Sequence, residues 1–318
     1  RDVLGSRGLG DVYKRQEIAQ QAGFSPSTVS RLLSNDPSLS VSPETKQKIL
    51  NTALSLGYER KYIKTIIEKI ALLFWITEIE ELEDIYFKDM RLKIEKYANE
   101  NNMELVTIKK ESGISKIPKD INGFIAIGSF SEKEISKLLK ITKNGVFIDS
   151  NPAPDYYDSV QPNTPLITKK AIDYFIKNGH SNIGFIGGTF HNPNTDLEEK
   201  DIREVAFRYY MQKIGYFNED NIFIEPNFSV DSGYKSAKKA IENLKDKLPT
   251  AFFVASDPIA IGVLQALNEY NIPVPSRVSV ISINNIDVSK YVSPPLSTFN
   301  IDTVSYTHLR AHETLRHL

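Results

Sequence analysis

The segment from Glu17 to Leu33 constrains this chain more than any other, because it reads as a helix, a glycine turn and a second, pre-capped helix. Gly23 permits the backbone reversal, Ser25 can accept an N-cap hydrogen bond, and Pro26 suits the first helical position, where its missing N–H costs nothing. Val29, Leu32 and Leu33 then bury against Ile18, Ala19 and Ala22, the packing of a helix-turn-helix. Ser27, Thr28, Ser30 and Arg31 are left on the outer face. Short hydroxyls at a helix N-terminus can seat that end on phosphates, and an arginine one turn later carries a planar two-pronged donor suited to a guanine edge.

A third helix follows after a short loop. Ser42 is its cap, Pro43 its first residue, Ile49, Leu50, Ala53 and Leu54 its buried stripe, and Gly57 its stop. The block from Glu17 to Tyr58, with Ala22-Gly-Phe-Ser-Pro-Ser-Thr-Val-Ser-Arg31, Val41-Ser-Pro-Glu-Thr45 and Leu56-Gly-Tyr58, resembles the DNA-binding headpiece of the lactose/galactose repressor family. The resemblance implies that Pro26, Ser27 and Arg31 face bases and that Ser25, Thr28 and Ser34 lie near phosphates. Pro26 has no side-chain donor, so readout there is by apolar contact or shape.

The two ends read differently. One DNA strand that encodes Val304 to Thr314 has a reverse complement that encodes Ser6 to Arg15, the mark of an inverted repeat such as a translated sequencing adapter. Residues 1–16 and 303–318 are therefore expected to be tags outside the fold, and His308 and His312, at a helical metal spacing, an accident. In this reading the first helix has lost its native cap, with Lys14, Arg15 and Gln16 in its place.

A length of 318 residues and an apolar fraction of 41% allow a large core and about two domains. The net charge of −1 argues against a protein that coats nucleic acid generally. Site-specific binding needs only a local basic face, and Arg31, Lys46, Lys48, Arg60, Lys61 and Lys64 supply one. Cysteine is absent, which excludes disulfides and thiolate metal sites. The lack of a signal peptide or membrane-length apolar run leads us to expect a cytoplasmic protein with no membrane partner.

From Ile70 the chain alternates short apolar runs with amphipathic stretches, the pattern of an α/β fold with parallel sheets and flanking helices. The runs are Ile70–Ile76, Glu104–Ile108, Gly123–Gly128, Gly145–Asp149, Ile183–Gly187, Ala251–Ala255 and Val278–Ile283. Two sheets are expected, divided near Ser150, where Asn151-Pro-Ala-Pro154 breaks the pattern. Lys177–Gly188, Phe253–Gly262 and Ser293–Thr298 resemble signatures of the periplasmic-binding-protein-like effector domain of the same repressors. Asp201–Phe207, Val254–Asp257 and Ile283–Ile286 resemble the repressors of the evolved β-galactosidase and galactose operons. The expected organisation is a headpiece over 17–58, a hinge over 59–69 and a two-subdomain effector domain over 70–302.

Ligands in such folds sit at the carboxyl ends of strands, between subdomains. A sugar needs an aromatic plate for its apolar face and fixed charged or amide groups for its hydroxyls. Trp75, Asp149, Ser256, Asp257 and Asn284 end strands, and Tyr86 and Phe87 open the helix after the first. The resemblance implies effector contacts at Trp75, Tyr86, Phe87, Asp149, Arg203, Phe228, Ser256 and Asn284, with Asp149 and Arg203 able to clamp vicinal hydroxyls. In the linker, Lys61, Lys64 and Ile67 stand where the family has Asn, Ala and Leu, so that Ile67 becomes the candidate minor-groove wedge.

Enzyme-like signals are thin. Gly187-Gly188 lacks a phosphate-binding fingerprint, Glu78 to Asp84 reads as a solvated acidic run, and His180 and His191 have no nucleophile beside them. The sequence therefore points to a dimeric repressor of operator DNA, released by a small sugar, galactoside or galactose, with no cofactor, metal or catalytic residue. A repressor tightened by a purine corepressor and a sugar-binding receptor or transport module are the alternatives.

Overall fold

The computed structural model describes residues 3–59, 62–66 and 68–301, with side chains from residue 13 onward. The headpiece is α1 (Val3–Ala22), α2 (Pro26–Leu33) and α3 (Pro43–Ser55); residues 3–16, expected outside the fold, are continuous with α1, and Arg15 bonds to Ser30 and Tyr58. Both sequence caps form as expected: Ser25 Oγ accepts from Thr28 N at 3.0 Å and Ser42 Oγ from Thr45 N at 3.2 Å. Gly23 turns the chain at φ 76° and Gly57 stops α3 at φ 73°, backbone that a β-carbon would strain. Ile18, Ala19, Ala22, Val29, Leu32 and Leu33 pack with Ile49, Leu50 and Ala53 into one buried core.

The linker folds back on this core. Ile63 is fully buried in it, Lys64 N donates to Leu33 O at 2.7 Å, and Thr65 Oγ1 donates to Leu32 O. The last carbonyls of α2, which have no partner inside the helix, are thus closed by the chain that leads to the next domain. Residues 63–66 are not helical, and Ile67 lies outside the described residues.

The rest of the chain builds two sheets. The first has the order β2 (Met103–Lys109), β1 (Glu68–Trp75), β3 (Gly123–Gly128), β4 (Gly145–Ile148), β5 (Asp158–Val160), all parallel. Along β1, Ala71, Leu73 and Trp75 enter one core while Leu72 and Phe74 enter the core on the other face. Helices α4 (Glu78–Glu83), α5 (Ile85–Glu100) and α6 (Glu132–Leu138) follow these strands. Burial on both faces explains why its central strands β1 and β3 read as unbroken apolar runs.

The second sheet runs β11 (Ser297–Asn300), β10 (Ser279–Asn284), β9 (Ala251–Val254), β6 (Ile183–Asn192), with β8 (Ile222–Glu225) parallel to the first half of β6 and β7 (Leu197–Lys200) antiparallel to its second half. Around it lie α7 (Thr164–Lys177), α8 (Ile202–Lys213), α9 (Val230–Leu244) and α10 (Asp257–Glu269). The division between the sheets comes later than Ser150. β5 still pairs with β4, and Ala153 is buried, so Asn151 to Pro154 is a turn inside the first lobe, not a linker.

Helices α9 and α10 cross with their backbones in contact at two glycines. A β-carbon on Gly262 would meet Val230 O and lie 2.6 Å from Tyr234 N; one on Gly233 would meet Ile259 O and lie 2.7 Å from Ile259 C. Neither neighbour is a flexible side-chain end, so the helices would have to part. Gly262→Ala is therefore expected to cost about 1–3 kcal/mol or more in urea unfolding. A loss below about 0.5 kcal/mol, the size of an ordinary surface substitution, would contradict the tight crossing.

Candidate functional site

Two sites emerge, one on each domain. On the headpiece, Ser25, Pro26, Ser27 and Ser34 are exposed and Thr28 half-buried. Ser25 and Thr28 share their hydroxyls at 2.8 Å at the N-terminus of α2, where Ser25 Oγ also accepts from Thr28 N and Ser25 O from Val29 N. Arg31 is half-exposed but held: Nε donates to Asp36 Oδ2 and Nη2 to Ser38 Oγ, both at 2.8 Å. Ser30 differs from its expected outward placement, for it accepts from Arg15 Nη1 at 3.0 Å while Arg15 Nε donates to Tyr58 Oη at 3.2 Å.

The second site lies between the lobes. Asp149 follows β4 in a left-handed backbone, φ 64°, and its N–H donates to Val160 O. Tyr86 Oη donates to Asp149 Oδ2 at 2.7 Å, whereas Oδ1 is buried with no partner. Burial pushes the Asp149 carboxyl up to about 6, against the lowering pull of Tyr86 and of Arg203 from the other lobe. Asp84 behaves alike: it caps α5 through Tyr86 N at 3.1 Å, and burial raises it to about 6 while Arg203 lowers it.

Arg203 opens α8 and is clamped from three directions. Nε and Nη2 donate to the two oxygens of Asp201 at 2.6 and 2.9 Å, Nη1 donates to Ala255 O at 2.9 Å, and the guanidinium lies 4.3 Å over the Phe228 ring. Phe228 fits there because Gly188 has no side chain; a β-carbon would stand 2.7 Å from the ring. Ser256, the residue before α10, is fully buried and its Oγ has no partner. Asn284 ends β10 at φ 116° and is almost fully buried. Of the residues singled out in sequence, Tyr86, Asp149, Arg203 and Phe228 form this group directly.

Three others have different surroundings. Trp75 is in the core of the first lobe, stacked on Phe130 at 4.8 Å, with its indole N–H given to Glu134 at 2.7 Å. Phe87 is half-buried against the Tyr86 edge, 5.4 Å away. Asp257 Oδ1 accepts from Thr298 Oγ1 at 2.6 Å and from Ser282 Oγ, and Oδ2 from Ile286 N at 2.9 Å, so it ties α10 to the ends of the second sheet. Asp84 and Asp201 had no sequence role: Asp84 was hidden in the acidic run, and the cap pattern Asp201-x-Arg203 was the available signal for Asp201.

A cavity of about 310 Å³ also opens between α5 and the ends of β10 and β11, sharing Tyr86 and Asn284 with this group. Across the lobes, Glu132 N donates to Asn194 Oδ1 of the β6–β7 hairpin at 2.7 Å. Among the described residues no cluster of three or more His, Asp or Glu could hold a metal, and no helix is long and apolar enough to cross a membrane. Buried acceptors without donors, fixed beside a clamped guanidinium and an aromatic plate, are groups that a polar ligand could satisfy.

A helix-turn-helix joined to a two-lobed ligand fold of this kind defines a ligand-responsive DNA-binding regulator. The family model for bacterial regulatory proteins of the lacI family matches residues 16–61, and that for the periplasmic binding protein-like domain matches 172–318. The HTH-type transcriptional regulator GanR of Bacillus subtilis is 53% identical, covering 90% of this chain and 87% of GanR; LacR of Lactobacillus helveticus is 43% identical, covering 95% and 90%. Among solved structures, the lac repressor dimer bound to operator and an anti-inducer has a TM-score of 0.67 at 18% identity, covering 94% of this chain and 90% of that one. The chain belongs to the lacI family of bacterial transcriptional regulators.

Asp149 generates a prediction with a definite sign. Its folded value, raised to about 6 from 3.8, means that its contribution to stability falls as pH rises between those values. Asparagine tolerates the same left-handed backbone, so Asp149→Asn should melt higher than the parent at pH 7 without ligand, with the gap closing toward pH 4. A variant that melts lower at pH 7 than at pH 4, relative to the parent, contradicts a buried charge at this position.

Proposed function

We propose that this chain is a dimeric repressor of a near-palindromic operator, released when an uncharged galactoside or galactose enters the crevice. The observation that carries the ligand class is the charge around the orphaned Asp149 Oδ1. Asp84, Asp149 and Asp201 face Arg203, whose charge Asp201 already balances, so an anionic ligand such as a sugar phosphate meets net negative charge. A neutral polyol meets acceptors instead. Hydroxyls can donate to Asp149 Oδ1 and Ser256 Oγ, and one sugar face can cover Phe228.

Kinship supports the galactoside. LacR and the GalR regulators of Lacticaseibacillus casei and Streptococcus thermophilus are 36% or more identical to this chain, and its Asp201–Phe207 segment resembles that of β-galactosidase operon repressors. On the DNA side, α2 enters the major groove of one half-site, Arg31 reads a guanine, and Ser25, Thr28 and Ser34 meet phosphates. By linkage, operator must weaken effector binding by the factor through which effector weakens operator binding. The reading assigns no catalytic role to any residue.

The test titrates galactose, lactose, glucose, galactose 6-phosphate and hypoxanthine against the protein on an operator selected from random duplexes. Galactose or lactose should release DNA, and the phosphate should not. Release by none of the galactosides, or tightening by hypoxanthine, overturns the reading in favour of a corepressor. Arg203→Ala should leave operator binding intact and weaken sugar by roughly 1.5–3 kcal/mol for each hydrogen bond lost from the charged group. On the operator itself, Arg31→Ala should cost about 1–3 kcal/mol while random duplex loses far less.

A further inference from the structure

The loop after α2 contains an arrangement that the headpiece core does not need. Asn35, in a left-handed conformation at φ 54°, turns the chain back, and Asp36 N donates to Arg31 O at 3.0 Å. Asp36 Oδ1 accepts from Ser38 N at 2.9 Å and from Ser38 Oγ at 2.6 Å, while Oδ2 accepts from Arg31 Nε at 2.8 Å. Ser38 Oγ closes the ring by accepting from Arg31 Nη2 at 2.8 Å. Ser38 and Arg31, in that order, hold the Asp36 carboxyl down at about 2, so it stays ionised.

These bonds engage one edge of the guanidinium. A guanidinium has a side edge, Nε with Nη2, and an end edge, Nη1 with Nη2, and either can meet a two-acceptor partner. Asp36 and Ser38 take the side edge. The end edge is left, and it has the fork geometry that matches guanine O6 and N7. An ion pair with side chains 43% and 31% exposed contributes little to stability, so its consequence is orientation. A free arginine would lose several rotamers on docking, and this one has lost them beforehand.

We propose that Asp36, locked by Ser38, is a positioning residue for base readout: it fixes Arg31 so that the end edge of its guanidinium meets a guanine. This rests on the reading that Arg31 faces bases. It carries an unusual sign, since a carboxylate at a DNA-facing loop repels phosphates and should weaken binding to any duplex. Asp36 is therefore expected to favour operator over random DNA while opposing both electrostatically. Ser38 contributes by holding the carboxylate and by sharing Nη2.

The experiment measures binding of the full chain to selected operator and to random duplex for the parent, Asp36→Ala, Asp36→Asn, Ser38→Ala, Arg31→Ala and the Asp36→Ala/Arg31→Ala double variant. Circular dichroism melting of each checks that the headpiece remains folded. Asp36→Ala should lower operator affinity about tenfold, with random-duplex affinity unchanged or higher, and should have no such effect in the Arg31→Ala background. Asp36→Asn, which keeps one acceptor without the charge, should retain part of the selectivity. Tighter operator binding by Asp36→Ala would make the ring a competitor of DNA, and an undiminished loss in the double variant would mean that Asp36 acts elsewhere; either overturns the proposal. Equal losses for Arg31→Ala on both duplexes overturn the base-facing reading itself, and the positioning role falls with it. A selective Arg31→Ala beside a silent Asp36→Ala overturns the positioning role alone.

Discussion

The guanidinium of Arg203 is the interaction on which the crevice depends. It is clamped by Asp201 and Ala255 O from its own lobe, lies on Phe228, and acts on the buried carboxyls of Asp84 and Asp149 from the other. Placing carboxylates in a buried gap is costly, and here both are raised to about 6. Arg203 and Tyr86 keep that cost tolerable, but Asp149 Oδ1 stays without a donor. A ligand that supplies the donor gains free energy only when the lobes are arranged around it, and a differential gain of that kind is what shifts a two-state equilibrium.

The route from crevice to DNA is short in sequence. β1 begins at Glu68, and just before it Lys64 and Thr65 donate to the last carbonyls of α2 while Ile63 fills the headpiece core. The chain that leads to the first lobe is thus tied to the C-terminal end of α2. At that same end stands the ring of Arg31, Asp36 and Ser38. On the proposed reading, a sugar between the lobes and a base pair under α2 compete through this linker, each weakening the other's binding by the same factor.

What could be read from sequence follows from the range of the forces involved. Caps such as Ser25-Pro26 and Ser42-Pro43 are local, and both form as read. The seven apolar runs are strands; burial on both faces leaves an unbroken signal in those such as β1 and β9, whereas the edge strand β2 is mostly half-buried or exposed. β5, β7, β8 and β11, of three or four residues none of which is fully buried, left too little pattern. Side-chain destination was harder. Trp75 ends the expected strand, yet β1 alternation turns its ring toward Phe130 and away from a ligand role by stacking. Asp84 looks like any member of an acidic run until the fold buries it opposite Arg203.

On the proposed reading, the buried carboxylate of Asp149 receives a hydrogen bond from a neutral sugar. Such a bond stabilises the ionised form and lowers a value that burial pushes up to about 6. Calorimetric titration of galactose or lactose at pH 6, in buffers that differ in ionisation enthalpy, counts the protons exchanged on binding. Proton release is expected, approaching about half a proton per bound sugar, with its loss in Asp149→Asn. Proton uptake, or a release that survives that substitution unchanged, would contradict it.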